Sequence, residues 1–365
     1  VTAGALGDQP ADDQPADDQS AGDQSAGDQS AGDQSAGDRA PGDRCGLVVD
    51  IGGTKVLAVL ILDGEIVART RLESRGLAAE VLASDVVSAA RQMVQCVGRC
   101  LEGALVAVPG TIDREAGVVV SAANLPFCDF PLTSVLSHGL DDVTVILEDD
   151  ANCGAVGEAS AGPAGTMRDL VYITLSTGIG MGSVVGGELV VGAHGYAGEL
   201  GHVTVVPGGR VCGCGRRGCL EAYASGRAIA SLGAELLAAN GGTLLATGTA
   251  GPDGVTAPAV VAAAERGDAG CLEIIDNANA YIIGAVQMVQ LILDPKLVVV
   301  GGGLMTSKFF SQRLLGALRG ERGFAGGGPT VRTSVFGDDS VIVGGMRLLS
   351  AALRRPLSGQ IGEAP

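Results

Sequence analysis

Positive charge is scarce in this chain: 24 Lys and Arg stand against 41 Asp and Glu, a formal balance of −17. The first 44 residues contain ten Asp and two Arg, which makes −8 of that balance and leaves −9 for the rest. An acidic body argues against nucleic acid as the main partner, because phosphate backbones are held by clustered Lys and Arg. Long apolar runs are missing too. Gly, Pro or charge interrupts each one well before the roughly 20 residues that span a bilayer, and the N-terminus has neither the basic nor the apolar region of a secretory signal. A cytoplasmic protein with no membrane partner is the expectation. Cysteines in a pairing pattern are also lacking: of nine, Cys45, Cys96, Cys100, Cys128, Cys153 and Cys271 are scattered and read as thiols in a reducing compartment.

The opening 44 residues hold almost nothing that could be buried. Their repeat of Ala, Gly, Asp, Gln and Ser predicts a segment that stays disordered. Beyond it, 46% apolar content over 365 residues leaves material for two domains. "CGLVVDIGGTKVLAVLILDGEIVART" alternates apolar runs with Gly turns, which predicts three antiparallel strands, the second hairpin turning at Asp63-Gly64. "LVYITLSTGIGMGSVVGGELVVGA", from residue 170, repeats that cadence and suggests a duplicated domain. Between them the pattern predicts a helix near 79–101, a strand over "GALVAVPGTID", and a strand "DVTVILEDD" running into the helix "ANCGAVGEASAG". Downstream it predicts helices over 221–239, 257–268 and 272–292, a buried strand "KLVVVGGG", a helix near 308–319 and a closing helix over 341–354. These signals predict an acidic tail (1–44), an α/β domain (45–150), a second α/β domain with the cysteine loop (151–340) and a closing helix and tail (341–365), with ligand chemistry in the interdomain cleft.

A Walker sequence GxxxxGK[ST] is absent. "DIGGTK" instead places Gly52 and Gly53 in a hairpin turn, where backbone N–H groups can approach an anion beside the Thr54 hydroxyl and the Lys55 ammonium. "STGIGMG", with Thr177, Gly178 and Gly180, repeats the arrangement. Each reads equally as a plain turn; as a pair in equivalent positions they could hold a polyphosphate from two sides. A third turn, "VVVGGGLM", ends a buried strand and would let a base or ribose approach Gly301 and Gly302. His202, Cys212, Cys214 and Cys219 form H-x9-C-x-C-x4-C, four ligands with no vacancy, which fits a structural tetrahedral zinc. A disulfide would leave one Cys over, and a redox pair wants C-x-x-C. Glu199 and Glu221 bracket this loop; a metal there would draw both towards one region, where they could accept from sugar hydroxyls, and the alternative is two solvated acids.

Together "DIGGTK", "VPG", "ANLP", "EDDANCGAVGE", "TLSTGIGMG", "GYAGELGHVTV", "CGCGRRGCLEAYASG" and "DPKLVVVGGG" resemble the ROK family of repressors and sugar kinases, from about 45 to 350. The resemblance implies a duplicated ribonuclease-H-like, actin-type ATPase fold, a homodimer, and Mg·ATP meeting a hexose in the cleft. It makes Asp150 the catalytic base and gives sugar contacts to Asn124, Asp150, Glu199, His202 and Glu221. It sets Asp50, Gly52, Gly53 and Thr54, with Thr177, Gly178 and Gly180, against phosphates and magnesium, and Gly301 and Gly302 near the adenosine. Read without the family, Asp150 stands where a strand runs into a helix and could serve only as its cap.

One position departs from the family pattern. Its sugar kinases usually read Glu-Asn-Asp-Ala-Asn where this chain reads Glu148-Asp149-Asp150-Ala151-Asn152. An Asn donates and accepts, whereas ionised Asp149 only accepts, and two carboxylates in one pocket repel. Glucose accepted through two hydroxyls and a 3-amino hexose such as kanosamine both answer that change. The family's repressors carry an N-terminal helix-turn-helix, and this chain has an acidic repeat in that place, so a repressor or a non-catalytic sugar-binding protein is the weaker expectation.

Overall fold

The computed structural model describes residues 45–122, 125–161, 167–240, 254–320 and 329–353. The predicted acidic tail lies outside the described residues. β1 (Cys45–Ile51) and β2 (Lys55–Leu62) are Val/Leu/Ile-rich and largely buried, as central strands covered on both faces must be, while β3 (Glu65–Glu73) alternates and forms an edge. Asp63 (φ 53°) and Gly64 (φ 86°) make the tight turn between β2 and β3, where two consecutive positive φ values match the strand twist. α1 (Ala79–Val97) presents Leu82, Ala83, Val86, Ala90 and Met93 to the sheet and stops at Gly98, whose left-handed φ of 68° closes the helix. β4 (Leu101–Ala107) follows.

The single strand expected over 103–113 is two. Pro109 and Gly110 break it, because proline has no N–H to give and Gly110 takes φ 122°, so β5 (Thr111–Asp113) leaves the main sheet. β5 pairs instead with β6 (Val118–Ser121) and β7 (Cys128–Phe130) in a small antiparallel sheet. α2 (Leu132–Gly139) and β8 (Thr144–Glu148) complete the first half, whose main sheet runs β3-β2-β1-β4-β8.

α3 (Asp150–Ser160) then leads to the second half: β9 (Leu170–Leu175), β10 (Ile179–Val185) and the two-residue β11 (Glu188–Leu189). The helix expected over 221–239 is α4 (Glu221–Ala224) and α5 (Gly226–Asn240), separated at Ser225, whose extended φ/ψ of −76°/164° ends the first turn. α6 (Ala257–Glu265), α7 (Ala269–Leu293), β12 (Leu297–Gly301), α8 (Lys308–Gly320), β13 (Thr330–Thr333) and α9 (Ser340–Leu353) follow. The second main sheet runs β11-β10-β9-β12-β13. In both sheets a strand pairs antiparallel with its hairpin partner on one side and parallel with a later strand on the other, so the two hairpin cadences mark a repeated topology.

Helices cover both faces of each main sheet. Leu47, Val49 and Val56 pack with Leu82, Val86, Leu132 and Leu136 on one face of the first sheet; Val48, Val59 and Leu105 pack with Ile342 and Leu349 of α9 on the other. Val171, Ile173, Val298 and Val300 meet Ile229, Val260, Ile275 and Phe310, and the opposite face meets Ala155 and Ala159 of α3. α3 and α9 cross closely at Gly157 and Gly344, where a Cβ on either would meet the other helix's backbone. No described helix is long and apolar enough to cross a membrane.

Candidate active site

The carboxyl ends of parallel strands from both main sheets meet at one cleft. Asp50 and Gly52 stand where β1 finishes, Pro109 and Gly110 after β4, Asp149 after β8, Ser176 after β9 and Gly302 after β12, and all of them line one cleft of about 340 Å³. Strand carboxyl ends are where open α/β sheets leave room for a ligand, since the chain must turn there and its backbone groups are unpaired.

The two glycine hairpins both enter this cleft, Gly52, Gly53, Thr54 and Lys55 from one sheet and Ser176, Thr177, Gly178 and Gly180 from the other. The first turn is closed by Gly52 N–H donating to Lys55 O (2.9 Å) and braced by Ser74 Oγ donating to Gly52 O (2.6 Å). The second is closed by Ser176 N–H to Gly178 O (3.0 Å), and Gly226 N–H at the start of α5 donates to Ser176 O (2.8 Å). Lys55 Nζ lies 3.6 Å from Asp338 in an exposed pair.

A group of carboxylates shares the cleft with them. Asp149 is the cap of α3: its Oδ1 accepts from Ala151 N–H (3.0 Å) and Asn152 N–H (3.1 Å). Capping therefore falls to Asp149, and Asp150 is the first helical residue. Burial, then the charge of Asp150, pushes the Asp149 carboxyl well above its usual range. Burial lifts Asp150 to about 6, with a backbone hydrogen bond at Ala151 pulling the other way and Glu199 adding to the rise. Asp50 is lifted to about 7 by burial and by Asp150, against the opposing pull of Lys55. Glu199 is raised by burial and held back chiefly by His202. Glu221 Oε2 accepts from Ile179 N–H at 3.0 Å, which ties α4 to the second glycine hairpin.

The cysteine loop packs beside these acids. One ligand atom from each of His202, Cys212, Cys214 and Cys219 lies within 4.8 Å of every other. Cys214 Sγ is 3.8 Å from Cys219 Sγ, and Cys212 Sγ is 3.7 Å from His202 Nδ1. A tetrahedral ion with metal–sulfur bonds of about 2.3 Å sets its sulfurs about 3.8 Å apart, so the donor set suits zinc. His202 thus turns Nδ1 to the cysteines, while Nε2 faces Glu199 Oε2 at 3.8 Å. The other ring nitrogen of a metal-bound imidazole commonly meets a carboxylate in this way.

Of the residues singled out from sequence, Asp50, Gly52, Gly53, Thr54, Lys55, Asp149, Asp150, Thr177, Gly178, Gly180, Glu199, His202, Glu221 and Gly302 share the cleft lining. Gly301 is buried beneath Tyr172, whose hydroxyl a Cβ there would approach to 2.6 Å. Asn124 lies outside the described residues. Sequence reasoning passed over Arg114, Asn152 and Asp338, which also line the cleft. Asn152 was in view inside "EDDAN", but nothing in the sequence pairs Arg114 with Glu148 across 34 positions.

A model of the ROK family matches residues 46–351. The glucokinase of Halalkalibacterium halodurans is 32% identical over 307 residues, covering 81% of this chain and 92% of that protein. The N-acetylmannosamine kinase of Yersinia pseudotuberculosis is 32% identical over 278 residues, covering 74% and 87%. Among solved structures, a ROK family glucokinase from Streptomyces griseus in complex with glucose and AMPPNP aligns with a TM-score of 0.70 at 28% identity, covering 83% of this chain and 98% of that one.

Proposed function

The chain belongs to the ROK family, and from that premise we propose that it is an ATP-dependent sugar kinase that transfers the γ-phosphate to the 6-hydroxyl of a hexose, with glucose as the first substrate. The observation that carries this reading is the convergence of two glycine hairpins and Asp150 on one cleft. Phosphoryl transfer asks mainly for positioning and charge stabilisation, with a carboxylate to take the hydroxyl proton. Asp150, titrating near 6, is largely ionised at neutral pH and still basic enough to accept that proton. Backbone N–H groups of the hairpins and the Lys55 ammonium would meet the phosphates. Glu199, Glu221 and Asp149 would accept from the sugar hydroxyls. Asp50, beside Asp150, would hold the magnesium that travels with ATP, and that ion would supply charge neutralisation at the phosphates. The four-ligand cysteine loop would hold a structural zinc that orients His202 and Glu199; metal analysis of the purified chain is expected to give one zinc per chain, lost when Cys214 is changed to Ser.

The repeated strand order supports a duplicated ribonuclease-H-like, actin-type fold, divided near residue 150 into two lobes, with α9 returning to the first. Exposed Leu291 and Ile292 at the end of α7 offer apolar surface for a homodimer. One observation favours a second substrate. With Oδ1 of Asp149 used by the helix cap, the atom that distinguishes Asp from Asn is the remaining one, set among Asp150, Glu199 and Glu148. An ammonium on the substrate, as in a 3-amino hexose such as kanosamine, would offset that charge. Product analysis tests the main reading: after incubation with Mg·ATP and glucose, phosphorus NMR is expected to show glucose 6-phosphate. Phosphate on another hydroxyl, or none, would overturn it.

A further inference from the structure

Arg114 reaches from the first half's small sheet to the head of α3. It stands just after β5, at the tip of the hairpin to β6, with its side chain 25% exposed and its partner Glu148 9% exposed. Its Nε donates to both carboxylate oxygens of Glu148 at 3.1 Å, and Nη2 donates to Oε1. The same Oε1 accepts from Asp149 N–H (2.8 Å) and Asn152 Nδ2 (2.9 Å). Glu148 therefore joins the guanidinium to the backbone of Asp149, one residue before the proposed base. Nη1, the nitrogen left over, lies against Gly195, where a Cβ would come within 2.8 Å of it. Gly195 belongs to the cleft-lining stretch that ends in Glu199.

We propose that Arg114 is a positioning residue for the transfer: through Glu148 it fixes the peptide from which Asp149 and Asp150 project, and through Nη1 it seats the loop carrying Glu199 against the same point. The inference rests on the sugar-kinase reading above. Its physical basis is geometric. A planar fork with two nitrogens on one carboxylate holds orientation as well as distance, which a single ammonium does not, and a base displaced by about 1 Å can cost roughly a hundredfold in rate.

The test compares wild type, Arg114→Ala, Arg114→Lys, Glu148→Gln and the Arg114→Ala/Glu148→Gln double variant in the full chain, with rates corrected for the folded fraction by thermal melting. Arg114→Ala is expected to lose about a hundredfold in kcat with the sugar KM changed less than fivefold. Arg114→Lys is expected to recover at most tenfold of that loss, and the double variant to be no slower than Arg114→Ala, because both changes cut one connection. A kcat per folded molecule equal to wild type, a loss confined to KM, or losses that multiply in the double variant would overturn the proposal. Should Arg114→Ala not fold, Glu148→Gln decides: it keeps an acceptor for Asp149 N–H and Asn152 while weakening the hold on the guanidinium, so kcat should fall about tenfold, and an unchanged kcat would overturn the proposal. A wild type without sugar-dependent ADP formation would overturn this inference together with the reading beneath it, whereas failure of the variants alone overturns only the inference.

Discussion

At the C-terminal end of α3, Glu158 is 0% exposed, and its carboxylate accepts from Ser334 Oγ (2.5 Å), Ser340 Oγ (3.0 Å) and Val335 N–H (3.0 Å) while pairing with Arg332 at 3.0 Å. At the N-terminal end of the same helix, Asp149 spends one oxygen on the cap, and Asp150 faces a cleft that also holds Asp50 and Glu199. Both ends put acid in low dielectric. Donors surround Glu158, so its charge is offset and its place is fixed, tying α3 to the β13–α9 junction. The N-terminal acids keep lone pairs towards the cleft and raise one another, which is the condition of groups that exchange protons or bind a ligand. One helix thus shows what separates a structural carboxylate from a functional one: the completeness of its donor set.

The sharpest way to break this comparison is to neutralise one acid at each end. Asp150→Asn is expected to lower kcat by about 10²–10⁴ with little change in melting temperature, measured by ADP formation and calorimetry, because a positioned base is lost and the fold is not. Glu158→Ala should do the reverse. It strands Arg332, Ser340 and the Val335 N–H, so denaturant unfolding is expected to show a loss of about 3–5 kcal/mol, with kcat per folded molecule kept within about threefold. A smaller effect comes with pH. Asp150 and Asp50 sit at about 6 and about 7, above the ordinary 3.8, so the rate should fall about tenfold per pH unit below roughly 6 as the base takes up its proton. The same raised values mean that folding binds protons. Their contribution to stability is complete below about pH 4 and is lost as pH rises through 6 to 7, which urea titration across that window will detect. The smallest effect belongs to Asp149→Asn. Asn still caps α3, so stability should change by about 0.5 kcal/mol or less, while the ratio of kcat/KM for glucose over kanosamine is expected to rise about tenfold. An unchanged ratio would remove the amino-sugar reading.

The parts of this molecule that depend on neighbours in sequence are legible in the sequence alone. Hairpins announce themselves by Gly between apolar runs, so β1–β2 and β9–β10, and through them the repeat, follow from local pattern, as does the cysteine spacing. The small sheet was missed because β5, β6 and β7 are three or four residues long and carry no alternation that exceeds chance. Arg114 and Glu158 were missed for a different reason. Their partners lie 34 and 174 or more positions away, and an isolated charge in a sequence looks the same whether it is solvated or holds two elements together. Ser225 interrupts what periodicity alone reads as one helix, since helical spacing continues across a break that tertiary hydrogen bonds to Ser176 and Thr177 impose. At the head of α3, sequence located the acids but left the cap open, because two adjacent Asp offer the same side chain to the same N–H groups and only the backbone decides between them.

The most direct test of the account is the initial rate of ADP formation from Mg·ATP by the zinc-loaded full chain, with glucose, mannose, N-acetylglucosamine, N-acetylmannosamine and kanosamine compared against Asp150→Asn. The account predicts sugar-dependent turnover that collapses in Asp150→Asn. No turnover with any of these sugars, or a rate that survives that substitution, would contradict it.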